Sequence, residues 1–167
     1  MARPISWIGQ ALLYGLFALI IGYFSSSPPY RHLPADQALI KLSFSHEGKL
    51  VSACRQRTAE ELAKLAPNMR APMDCPRERS PVTVEIDLDG IPAYRHVATP
   101  SGLSKDGPST VYHRFALLSG EHRLAIRLND DARTSGFNYR REAMVTLKPG
   151  KVLVIDFNQE AGGITLK

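Results

Sequence analysis

Residues 5–24 read ISWIGQALLYGLFALIIGYF, twenty positions without a charge. A helix rising ~1.5 Å per residue reaches about 30 Å there, the hydrocarbon thickness of a bilayer. That run governs what the rest can be: one domain held at a membrane surface. The chain has 167 residues, so about 140 remain for a single domain with its own core. The net charge is +5, and Arg3 is the one charge of the anchor, which leaves the remainder mildly basic. Such a balance suits anionic lipid or an acidic partner. It is too diffuse for nucleic acid: the densest stretch, residues 55–79, holds six basic against four acidic residues.

The anchor reads as an uncleaved signal anchor. Ser25-Ser26-Ser27 is the one small-residue cleavage pattern, and it would place Pro28 directly after the cut, which disfavours processing. No cysteine lies nearby to carry a lipid. Arg3 flanks the helix on one side and Arg31 and His32 on the other, so the positive-inside bias is small. Few residues precede the helix. The expected topology is therefore a cytoplasmic N-terminus and a periplasmic C-terminal domain, in a bacterial inner membrane. Ala11, Gly15, Ala18 and Gly22 fall on one helical stripe, where a second helix could approach closely. A stripe of this kind also arises by composition, since anchors are rich in Ala and Gly. Ser- and Pro-rich residues 25–36 cannot continue a helix and form a short, semi-rigid linker, giving a division into 1–24, 25–36 and 37–167.

Beyond the linker the pattern has period two. Residues 38–45 alternate apolar and polar, and residues 82–88 do so without error before Asp89-Gly90, a hairpin signal. Residues 91–98 pair back, with Pro92 demoting them to an edge. Further strands are expected at 49–53, 111–118, 121–128, 139–147, 152–157 and 164–166, with a Pro-Gly turn at 148–151. One helix is expected at 58–66, opened by a Thr58/Glu61 capping box and stopped by Pro67. The fold class is mainly β: a transmembrane helix, then an Ig-like or transthyretin-like antiparallel β-sandwich with one short helix. Residues 99–110, TPSGLSKDGPST, read as a flexible hairpin tip or a recognition loop.

From Val82 onward, the Asp-Gly turn, a loop, the run LLSGEHRLAI and a later LKPG resemble the PEGA and carboxypeptidase-regulatory-like small β-sandwiches. The resemblance covers roughly residues 82–157 and implies a binding or surface-association module. The long 99–110 loop departs from it, and no functional residue carries over.

Cys54 and Cys75 bracket the expected helix. In an oxidising compartment an even pair reads as a disulfide, closing a loop of about 20 residues and contributing ~3 kcal/mol in the chain-entropy model. The sharper alternative is a soft site for Cu(I) built from Met69, Met73, Cys75 and Cys54, with His46 in reach; methionines in a Pro-rich loop more often simply pack. Asp87-x-Asp89-Gly90 lacks the further acidic ligands of a calcium loop. Asn129-Asp130-Asp131 reads as a solvated loop, and His122, on an apolar face, as a satisfied core residue. No serine stands at nucleophile-elbow spacing. Arg123, Arg127, Arg140 and Arg141 are expected on one outer face, as a docking surface or as a solvated face balanced by Glu121, Asp130, Asp131 and Glu142.

The expected role is non-enzymatic: an accessory or assembly subunit docking onto a membrane protein complex, or self-associating, through helix and sandwich. No cofactor, metal, nucleic acid or small-molecule substrate is expected. The alternative is a copper-binding or copper-delivery protein.

Overall fold

The computed structural model describes residues 4–27 and 33–167. Arg3 and residues 28–32 of the linker, with Arg31 and His32, lie outside the described residues. The chain divides into two units, Met1–Pro34 and Ala35–Lys167.

In the first unit, helix α1 spans Pro4–Ser26, two residues beyond the expected anchor. Proline at the first position costs no hydrogen bond. Ser27 N–H donates to Tyr23 O and Ser26 Oγ to Gly22 O, at 2.8 and 3.2 Å. Residues 6–26 are long and apolar enough to cross a membrane, and none of this span is buried within the chain. Together with the disulfide described below, α1 fits a single-pass membrane protein.

The second unit contains β1 Gln37–His46, β2 Arg55–Gln56, α2 Ala59–Lys64, a 3₁₀ turn Pro67–Met69 and β3 Met73–Asp74. It continues with β4 Val82–Leu88, β5 Ile91–Ala98, β6 Ser109–Leu118, β7 Gly120–Asn129, β8 Tyr139–Leu147, β9 Val152–Asn158 and β10 Gly163–Leu166. Sheet one has the order β10-β9-β1-β6 and sheet two β5-β4-β7-β8, while β2 and β3 form a separate ribbon. This is the expected mainly β sandwich. The residues that alternate in sequence meet between the sheets: Ile40, Leu42 and Phe44 from β1, Val82, Val84 and Ile86 from β4, Leu124, Ile126 and Leu128 from β7, and Leu153, Ile155 and Phe157 from β9. Each fully buried aliphatic side chain stabilises by roughly 1.5–3 kcal/mol.

One pairing departs from the antiparallel expectation: β1 and β9 run parallel. The Pro-Gly turn forms, with Gly150 at φ 71° and Lys151 N–H donating to Lys148 O. It carries the chain from sheet two to sheet one, so β9 arrives beside β1 instead of folding back on β8. The Ser119-Gly120 turn likewise crosses between sheets: β6 pairs with β1, and β7 pairs with β4 and β8. The Asp89-Gly90 hairpin forms as expected, both residues taking positive φ (54° and 82°) as a two-residue turn matched to strand twist requires.

Residues 49–53 do not form the expected strand. Only Leu50 bridges, to Arg79. Gly48 is seated against the Ser80 carbonyl, where a side chain would collide. Lys49 N–H donates instead to Asp130 O, and Ser80 N–H to Lys49 O. Asn129-Asp130-Asp131 is not a solvated loop either, since Asp130 and Asp131 are buried. The 99–110 segment is tied down by Arg79 N–H to Lys105 O, Arg77 to Asp106 and Lys105 to Glu78. Its composition suggests flexibility, and its partners in residues 77–79 are invisible to composition.

Candidate functional site

Ala11, Gly15, Ala18 and Gly22 lie along one stripe of α1, all exposed. A Cβ added at Gly15 or Gly22 would meet nothing within 4 Å. A groove lined by Leu13, Tyr14, Leu16, Phe17 and Ile20 runs on another part of the same helix.

The arginine set does not form one face. Arg123, Arg127 and Arg140 lie outward on sheet two, with Arg127 opposite Arg140 in register. Arg141 stands opposite the core residue Ile126 and therefore points to the other side, because successive strand residues alternate. Its Nη1 donates to Ile164 O of β10 at 2.8 Å, tying the rims of the two sheets. The outward arginines are mostly neutralised. Arg127 contacts Glu85 at 3.0 Å and Asp87 at 2.9 Å, Arg95 contacts Glu85 at 3.2 Å, and Arg123 contacts Glu142 at 2.8 Å. The Arg123 guanidinium, by hydrogen bond and then by charge, holds Glu142 below the usual carboxylate range. Of the four, Arg140 alone has no carboxylate or other hydrogen-bond partner among the described residues. Asp130 and Asp131 do not balance this face, being engaged in the buried end of the sandwich.

That end is a polar cluster. His46 Nε2 lies 2.9 Å from Asp130 Oδ2, Asn138 Nδ2 donates to Asp130 Oδ1 at 2.7 Å, and the His46 ring packs 4.2 Å from Phe157. Burial first, then the Asp130 charge, pushes the Tyr139 hydroxyl above its ordinary pKa. Arg133 grips Asp131 through two nitrogens and holds its carboxyl at about 2. These contacts join β1 to the β7–β8 loop across the interior.

Cys54 and Cys75 are joined as a disulfide, so neither offers a thiolate in this state. Met69 and Met73 are 61% and 48% exposed, and His46 is turned into the sandwich. The disulfide closes an insertion carrying α2, whose capping box forms as expected, and the β2–β3 ribbon. Asp74 accepts from both Arg55 and Arg57, and Arg55 reaches Glu61 as well. No three His, Cys, Asp or Glu groups cluster as a metal site among the described residues.

His122 is satisfied, at the margin of the core. Its Nδ1 lies 2.8 Å from Asp89 Oδ2 and its Nε2 lies 2.9 Å from Leu118 O. Both partners are acceptors, so both ring nitrogens donate and the imidazolium is favoured. The Asp89 hydrogen bond and then the Leu118 carbonyl raise the His122 pKa, with burial opposing.

A surface the strand pattern did not single out lies on the outside of sheet one. Lys41 on β1 and Arg114 on β6 stand directly opposite each other in register. Neither meets a carboxylate among the described residues, the nearby Asp156 being held by Lys167 at 2.7 Å. Lys41 Nζ sits 5.6 Å over the Tyr112 ring. Tyr112, Leu118 and Val152 are exposed around them. The signal was present in the alternation of residues 111–118, where Tyr112 and Arg114 occupy the polar-facing positions, but the like-charge pairing depends on a register set across 73 residues of chain, from Lys41 to Arg114. No protein-family model matches this chain, and no curated protein matches it.

Proposed function

We propose that this chain is a single-pass, non-enzymatic accessory or assembly subunit that docks onto a membrane protein complex through α1 and the β-sandwich. It sits in a bacterial inner membrane with its N-terminus cytoplasmic and its sandwich periplasmic, and it works without a cofactor. One observation carries the reading: α1 is apolar along its length and buries none of its span within its own chain, while its small-residue stripe leaves room for another helix. The disulfide supports an oxidising compartment, and the likeness of residues 82–157 to surface-association sandwiches points the same way.

The test is native electrophoresis of the full-length protein extracted gently from its own membranes. The wild type should migrate within a larger assembly, and Gly15→Leu with Ala18→Leu should release it. A wild-type chain that migrates alone, with no cross-linked partner in the intact membrane, sinks the reading. Alkylation tests the topology. Cys54 and Cys75 should resist labelling until reduced, and two freely alkylated thiols would place the domain in a reducing compartment.

A further inference from the structure

The sandwich has four edge strands, and three are protected against pairing with another chain. β5 carries Pro92 and faces a register irregularity at Ile86/Asp87. β8 carries Arg140, Arg141 and Glu142 directly after its first residue, Tyr139. β10 is only 4 residues long. Proline, bulges, charges and brevity are the devices by which sheets keep their edges from templating another strand. β6 has none of these apart from Arg114. It runs 10 residues, STVYHRFALL, in unbroken register with β1. Along its free side, only the Leu118 carbonyl has a partner among the described residues, the His122 ring.

We infer that β6 accepts an extended, acidic segment of a partner protein as an additional strand of sheet one. Main-chain groups along a free edge are matched periodically only by another strand. On the outer face, the incoming strand would run beside Arg114, which already stands opposite Lys41. Like charges opposed across a ladder destabilise it, and carboxylates at alternate positions of the newcomer would relieve this. On the inner face, His113 and Phe115 lie at the open side of the sandwich. Tyr94 of β5 stacks on His113 at 4.1 Å, and His96 follows at 6.1 Å. Apolar residues at the intervening positions of the newcomer would cover this half-buried aromatic row. A second copy of the same chain fits poorly: β6-to-β6 pairing would gather two Lys41 and two Arg114 side chains on one continuous face, where Asp156 is already held by Lys167.

This inference rests on the docking reading and names the edge and the chemistry of the partner segment. The test uses the full-length, unaltered protein in detergent micelles, with amide hydrogen exchange followed strand by strand. The probe is a capped, alternating valine–glutamate decapeptide, compared with its valine–lysine counterpart. The acidic peptide should slow exchange along β6 by about tenfold or more, leaving β8 unchanged, and the lysine peptide should not. Arg114→Glu should weaken binding of the acidic peptide by about tenfold, and Arg140→Glu should leave it intact. The peptide comparison stands even if a variant fails to fold. No slowing at β6, equal slowing at β8, or protection of β6 that appears without peptide and grows with protein concentration would each overturn the inference. Failure here, with the native assembly still observed, removes the strand-addition site alone; a chain that migrates alone removes the docking reading itself.

Discussion

On the outside of sheet two, Arg95, Arg123 and Arg127 each meet a carboxylate within 3.2 Å, and Arg140 is the one arginine there that meets none among the described residues. On the outside of sheet one, Lys41 and Arg114 face each other and meet none among the described residues. The first face has the more arginines and the less unsatisfied charge. A docking surface is therefore not found by counting cations along a strand. It is found by asking which cations the fold leaves without a partner. Paired charges at a surface contribute little and would have to be pulled apart before a partner could use them. Unpaired ones gain on binding whatever counter-charge the partner brings.

The two faces differ most in stability at Arg127. Its guanidinium bridges Glu85 and Asp87, both with side chains only 18% exposed. Arg127→Leu leaves the half-buried Asp87 without a counter-charge and Glu85 with Arg95 alone, at a cost of about 2–3 kcal/mol. Arg114→Leu removes a repulsion from Lys41 and should change stability by no more than about 0.5 kcal/mol. Denaturant titration of the two full-length variants in the same detergent decides it. Equal losses would mean that Arg114 has a structural role and that the two faces do not differ as described.

A smaller effect is expected at Arg123 and Glu142, which pair at 2.8 Å with both side chains more than 60% exposed. A double-mutant cycle with Arg123→Ala and Glu142→Ala should give a coupling well below the Arg127 effect, and one that disappears in molar salt. A coupling that survives high salt would show that this pair behaves as a buried one, and the contrast between Arg127 and the rim of the same face would have to be withdrawn.

The strands that pair locally were legible from residue pattern. β4, β5 and β8 begin and end where alternation, the Asp89-Gly90 turn and the Pro-Gly turn place them. The grouping of Arg140 with Arg141 was correctable from sequence as well, because neighbours in one strand cannot share a face. Other features depended on contacts far apart in the chain. Asp130 is buried because His46 reaches it across 84 positions. Residues 49–53 lose their strand because Gly48 must seat against Ser80. The parallel β1–β9 pair and the sheet-crossing turn at Ser119-Gly120 are matters of topology, and alternation says which face a residue takes without saying which sheet it joins. The freedom of β6 is of the same kind: an edge is recognised only once every other strand has been placed.

The smallest effect expected is the pH response where the sheets meet. On the outer face of sheet two, Arg123 holds the Glu142 carboxyl below its ordinary 4.5, so that pair sets no slope between about pH 6 and 8. His122 does, linking the Asp89 turn of sheet two to Leu118, the last residue of β6. Its pKa is raised in the folded protein above the ordinary 6.5. Its contribution is therefore fully present below about pH 6.5 and is lost as pH rises through the folded value. Asp89 has the opposite sense. Its pKa is lowered by the His122 hydrogen bond and the Arg123 N–H, so its contribution is present above the ordinary 3.8 and fades only as pH falls through the folded value. Comparing wild type with His122→Gln subtracts the other titrating groups. The gap in melting temperature should be widest near pH 5.5 and should narrow steadily toward pH 8.5. A gap that is constant, or that widens with pH, would show that the imidazole is held neutral, and the Leu118 carbonyl would then need another donor. Because that carbonyl is, among the described residues, the one group on the free side of β6 already in use, the same titration reports whether the end of this edge is fixed before a partner strand arrives.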